Sequence, residues 1–66
     1  MPKWVPFEQV GILMRDGPYL VLSMPGGGYW RLEDVRLKRE MLGTSVRVKG
    51  TRIGFNDISV DSIEAA

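Results

Sequence analysis

Apolar and polar residues alternate along most of this chain, and glycine or proline stands at nearly every point where the alternation stops. From Phe7 to Arg15, Val10, Ile12 and Met14 fall on one face and Gln9, Gly11, Leu13 and Arg15 on the other. A period of two over that length predicts a strand, and Gly11 inside it predicts a bulge or sharp bend. Asp16-Gly17-Pro18 predicts a turn, because Asp-Gly accepts positive φ and Pro18 has no N–H to extend a ladder. Tyr19 to Met24 predicts a second strand, with Leu20, Leu22 and Met24 on one face and Tyr19, Val21 and Ser23 on the other. Pro25-Gly26-Gly27-Gly28 predicts the next turn. Tyr29 to Leu32 then forms a short third strand, Trp30 and Leu32 facing together and Tyr29 and Arg31 opposite them.

The period changes after Leu32. Asp34 has the chemistry of an N-cap, Val35 to Leu42 carries Leu37 and Met41 at i and i+4, and Gly43 stands where a C′ glycine ends a helix. A two-turn helix over 35–42 is therefore expected, docked on the rest of the domain because it is too short to be stable alone. Alternation returns at Ser45 to Thr51, with Val46, Val48 and Gly50 against Arg47, Lys49 and Thr51. It continues through Ile58 and Val60, after a hairpin loop of Arg52-Ile53-Gly54-Phe55-Asn56.

The expected order is β-β-β-α-β-β in one domain spanning residues 1–66, with 1–6 as an N-terminal arm. That order is the arrangement of the OB-fold, an all-β small barrel whose short helix covers one end; an SH3-like barrel is the alternative. The expected inward set is Val10, Ile12, Met14, Leu20, Leu22, Trp30, Leu32, Val46, Val48, Ile58 and Val60, with Leu37 and Met41 from the helix. If the last hairpin pairs Val48 with Val60, Arg47 lies opposite Asp61 and Lys49 opposite Ser59. The segments Val10-Gly11-Ile12-Leu13, Pro18 to Leu22, Tyr29 to Leu32, Leu42 to Thr51 and Ile58 to Ile63 together resemble a family of small bacterial OB-like domains of unknown function. The resemblance spans nearly everything after Phe7. It implies the fold and carries no functional residue with it.

Sixty-six residues make one small core, and the absence of cysteine removes both disulfides and thiolate metal sites as reinforcement. The chain also has no histidine, which removes the usual general base near neutrality and leaves its serines without an activating imidazole. A non-enzymatic domain without cofactor or metal is therefore expected. Gly26-Gly27-Gly28 leads into a strand and not into a helix, so it reads as a hairpin turn and not a phosphate loop. Asp57, Ser59 and Asp61 fall far short of a calcium shell and read as a solvated face. No apolar run approaches the length of a bilayer span, and no apolar segment follows the N-terminus, so a cytoplasmic protein is expected.

Nine basic and eight acidic residues give a net charge of +1, too little for a strong polyanion field. Three of the acids lie from Asp57 onward, which leaves residues 1–56 mildly basic. Two partner readings follow. Tyr19, Tyr29, Arg31 and Arg52 make an aromatic and basic outer surface suited to weak binding of single-stranded nucleic acid, unless cross-strand carboxylates neutralise the cations. Leu13 and Val21, outward on adjacent strands, instead suggest a protein–protein or self-association surface, to which Trp4, Phe7 and Phe55 add apolar area.

Overall fold

The computed structural model describes residues 5–36 and 38–66. It is an all-β domain of five strands: β1 (Val5–Asp16), β2 (Tyr19–Ser23), β3 (Tyr29–Glu33), β4 (Ser45–Arg52) and β5 (Asp57–Ala65). The strands belong to one sheet, ordered β1-β2-β3-β5-β4 and closed into a barrel by pairing of β1 with β4. Every pairing is antiparallel except β3 with β5, where Arg31, Leu32 and Glu33 run parallel to Asp57, Ile58 and Ser59. Closure leaves no strand edge open, which suits a core too small to tolerate one. The core comprises Phe7, Leu13, Leu20, Leu22, Leu32, Val46, Val48 and Ile58.

The first strand is long because it serves two neighbours. Val5 to Ile12 pairs with β4, and Ile12 to Asp16 pairs with β2. It begins at Val5, two residues before the expected start. Its facing is the reverse of the expected one: Phe7, Gly11 and Leu13 are buried, whereas Val10, Ile12 and Met14 are exposed. Gly11 sets this choice. At the corner between its two partners, a Cβ on Gly11 would lie 2.6 Å from the Ser23 carbonyl oxygen and 3.0 Å from Leu22 Cγ. Only glycine fits on the inward side there, and the parity of the strand then carries Leu13 inward with it.

Across β4 and β5, Val48 is opposite Ile63 and Arg47 opposite Glu64, so the expected Val48–Val60 and Arg47–Asp61 pairings do not form. The register shifts between Lys49 and Gly50, whose partners are Ser62 and Val60, so Asp61 is an extra residue in β5. This bulge explains why Val60 and Ile63, three apart, both pack against the core.

The expected helix over 35–42 is absent from the described residues. In its place one 3₁₀ turn spans Arg39–Met41, after Lys38 in extended conformation (φ −114°, ψ 97°). Asp34 does not cap it. Its backbone is left-handed (φ 58°), and its carboxylate accepts a hydrogen bond from the Ser59 hydroxyl at 3.0 Å. The apolar positions nevertheless do what the helix was expected to do, since Val35, Met41 and Leu42 pack against the barrel core. Gly43 has the expected positive φ, 80°, and its amide donates to the Leu13 carbonyl at 2.7 Å. Leu37 and Trp4 lie outside the described residues. No helix of the described residues is long and apolar enough to cross a membrane.

Candidate binding surface on the outer face of the sheet

Strand register sets which side chains share the outer face. Met14 is opposite Val21 and Val21 opposite Arg31; Ile12 is opposite Ser23 and Ser23 opposite Tyr29. Tyr19 opens β2 on the same face. Tyr19, Tyr29 and Arg31 are therefore brought onto one surface, as expected. Tyr19 and Tyr29 are each 48% exposed, and the Arg31 guanidinium lies 4.6 Å from the centre of the Tyr19 ring. Arg31 also faces Asp57, with Nε 3.6 Å from Oδ1. One guanidinium thus lies across an aromatic face while a carboxylate holds its edge, an orientation that presents a flat cationic plane beside Tyr19.

Arg52 is separated from this group. It is the last residue of β4 and is opposite inward-facing Ile58. Its guanidinium lies 5.4 Å from the centre of the Trp30 ring, which meets Phe7 edge-on at 5.0 Å. Its Nε donates to the Gly54 carbonyl and its terminal nitrogen to the Phe55 carbonyl, both at 3.0 Å. Arg52 therefore ties the β4–β5 loop to Trp30.

The two residues expected at an interface do not offer one. Leu13 is 1% exposed in the core, a consequence of the reversed facing of β1. Val21 does lie on the outer face, yet it is only 7% exposed between Met14 and Arg31. Among the described residues, Val10, Ile12 and Met14 instead form an exposed apolar row along β1. Of the aromatic residues expected to add apolar area to such a surface, Phe7 is buried in the core, whereas Phe55 is 82% exposed on the β4–β5 loop. Its backbone neighbour Asn56 accepts a hydrogen bond from the Arg31 amide at 2.7 Å, so the loop continues β5 alongside β3. Arg31 is in register with Asp57, the first residue of β5, two residues after Phe55.

The cations of the sheet are largely partnered. Arg47 lies 3.7 Å from Glu8 and Lys49 4.0 Å from Glu64; Arg15 donates to the Gly17 carbonyl at 3.1 Å. The carboxylates beside these cations are Asp57, Glu8 and Glu64, and not Asp61, which was the one expected opposite Arg47. Beside Tyr19 an open cleft of about 210 Å³ is lined by Arg15, Leu20, Leu32, Asp34 and Val35. No group of three or more acidic residues among the described residues converges as a metal site, and Asp57 is engaged by Arg31.

Residues 10–66 match the model of a family described as "Protein of unknown function (DUF5818)", and the chain belongs to that family. The match begins within β1 and includes all of β2 to β5. No curated protein and no solved structure matches the chain.

Proposed function

We propose that this domain is a non-enzymatic, OB-like binding module that takes single-stranded nucleic acid weakly on the outer face of β2 and β3, through stacking more than through charge. The observation that carries the reading is the row formed by Tyr19 with its stacked Arg31 and by Tyr29, all on one face. The OB-like reading rests on five strands in a ring, with Val35, Met41 and Leu42 of the segment between β3 and β4 packed against its core. In barrels of that type the faces of the second and third strands and the loops after β1 and β4 hold oligonucleotides. No polar or charged side chain is buried among the described residues, which supports an exterior ligand over one held inside.

Tyr29 is opposite Ser23, four residues along β2 from Tyr19, a backbone span of about 13 Å at ~3.3 Å per residue. That span suits about four nucleotides, the short end of the range for such folds. Each stacked base contributes ~1–3 kcal/mol, so two such contacts fit micromolar to millimolar affinity and no tighter. The ion pairs at Arg31, Arg47 and Lys49 set the salt dependence. If only Arg31 exchanges Asp57 for a phosphate, log K falls with log salt at a slope of about −0.7. Anisotropy titration of a labelled mixed-sequence oligodeoxynucleotide at several salt concentrations tests this. Weak binding with a slope shallower than about −1.5, lowered ~5- to 150-fold by Tyr29→Ala, is expected. No signal with any oligonucleotide at low salt would overturn the reading.

One observation favours a second reading. The β1 row of Val10, Ile12 and Met14 is 37–44% exposed and flanked by Tyr19, an apolar strip of the kind found at the centre of protein interfaces. Sedimentation at micromolar concentration separates the two: a dimer that Ile12→Lys disperses supports self-association through this strip.

A further inference from the structure

Among the described residues Phe55 is the most exposed of the large apolar ones, yet its loop is firmly tied. Arg52 donates to the carbonyls of both Gly54 and Phe55, the Ile53 amide to the Asp57 carbonyl at 2.9 Å, and the Arg31 amide to the Asn56 carbonyl at 2.7 Å. Arg52 is itself fixed over Trp30. A loop backbone held at four points has little freedom left to lose, while the phenyl ring stays in water. A ligand that covers the ring pays little further ordering cost. The ring is flat and uncharged, it sits on a loop whose Asn56 carbonyl accepts a hydrogen bond from the Arg31 amide of β3, and Arg31 shares its face with Tyr29 and Tyr19. A planar base is the complementary shape for such a surface, whereas a phosphate is not.

Resting on the reading above, we propose that Phe55 is the third stacking residue of the nucleic-acid surface. Arg52 is its positioning residue through the β4–β5 loop and not a phosphate ligand. The two roles differ in how they respond to lysine. A phosphate contact survives Arg52→Lys because the charge is kept. A loop clamp does not, because one ammonium cannot reproduce a planar fork over an indole with two carbonyl acceptors.

The experiment uses the full chain and a labelled mixed-sequence oligodeoxynucleotide of about 12 nucleotides, long enough to cross the face. Anisotropy is followed at several salt concentrations, with thermal melts of each variant. Phe55→Ala is expected to weaken binding by about 5- to 150-fold without moving the melt, because the ring is exposed. Phe55→Trp restores binding, and its indole emission changes on titration. Arg52→Lys weakens binding as Phe55→Ala does, leaves the salt slope unchanged, and adds nothing further in the double variant. If Tyr29→Ala weakens binding and Phe55→Ala does not, the inference about Phe55 falls while the surface reading stands. If the unaltered protein binds no oligonucleotide, both fall. A dimer dispersed by Phe55→Ala, with oligonucleotide binding untouched, would seat the ring in a second copy and overturn the inference. Arg52→Lys that keeps full binding removes the positioning role alone, and should that variant unfold, its melt shows it and Phe55→Ala with Phe55→Trp decide the case.

Discussion

Gly50 is the position at which a single methyl group should do most damage. It lies in β4 beside the register shift, opposite Val60, and a Cβ built there would stand 2.1 Å from the Ser59 carbonyl oxygen. It would also lie 3.0 Å from the Ser59 carbonyl carbon and 3.1 Å from Val60 Cα. All three atoms are backbone, so no rotamer change relieves the overlap. An ordinary carbon–oxygen contact needs ~3.3 Å, so Gly50→Ala forces the two strands apart by about 1 Å. Overpacking of that kind costs ~1–3 kcal/mol. The displaced Thr51–Ser59 and Arg52–Ile58 pairings add ~1 kcal/mol for each ladder bond lost. A total of about 3–5 kcal/mol stands against a stability of roughly 3–10 kcal/mol for a domain of this size. At ~4–8 °C per kcal/mol, the melting temperature should fall by at least about 12 °C. The assay is a circular dichroism melt with urea unfolding at 25 °C, and Gly26→Ala is the control. Gly26 has open space around its missing side chain and no positive φ, so its variant should melt within about 2 °C of the parent or slightly above it. A Gly50→Ala protein melting within about 3 °C of the parent would refute the β4–β5 register and the bulge at Asp61.

Leu22 is fully buried, so Leu22→Ala should cost ~2–5 kcal/mol in urea unfolding. Met14→Lys should change stability by less than ~0.5 kcal/mol because Met14 faces outward, whereas Leu13→Lys should prevent folding by burying an unpaired charge; the opposite outcome in a melt would restore the expected facing of β1. Gly43 has φ 80° and nothing within 4 Å of a built Cβ, so Gly43→Val should cost ~1–3 kcal/mol from backbone conformation alone.

Strands β2, β3 and β4 were legible because each sets apolar residues against polar ones with little ambiguity: Leu20 and Leu22 faced in as expected, as did Leu32, Val46 and Val48. The first strand was not, because both of its faces are apolar. Counting residues favours Val10, Ile12 and Met14, and what decides is the room available at Gly11, which depends on Ser23 and Leu22 from another strand. The segment after β3 was half legible. Its apolar positions pack where a helix would have put them, but Asp34 spends its carboxylate on Ser59, 25 residues away in sequence, a tertiary bond that local capping rules do not contain. Parity alone brought Tyr19, Tyr29 and Arg31 together. Arg52 was misplaced because β4 runs one residue beyond the alternation read from the sequence, and its guanidinium lies over Trp30. Phe55 carries no periodic signal, and only the fixed loop gives its exposure meaning.

The ion pairs decide what kind of ligand this outer face would prefer. Exposed pairs such as Arg47 with Glu8 and Lys49 with Glu64 are worth ~0–1 kcal/mol each, so a phosphate displaces a carboxylate at small cost. The exchange also gains little, because the freed carboxylate then repels the same phosphate at short range. With a net charge of +1 there is no long-range field to raise the encounter rate. Discrimination then falls to the aromatic faces. In a duplex the base faces are already stacked on each other, and reaching them costs unpairing and unstacking. A single strand offers them freely. A surface made of Tyr19, Tyr29 and Phe55 with its cations partnered should therefore favour single strands over duplex at every salt concentration, whereas a surface working by charge would bind the denser phosphates of the duplex at least as well. Competition of a labelled single strand by unlabelled duplex of the same sequence measures the difference, and displacement by duplex at equal concentration would assign the binding to charge.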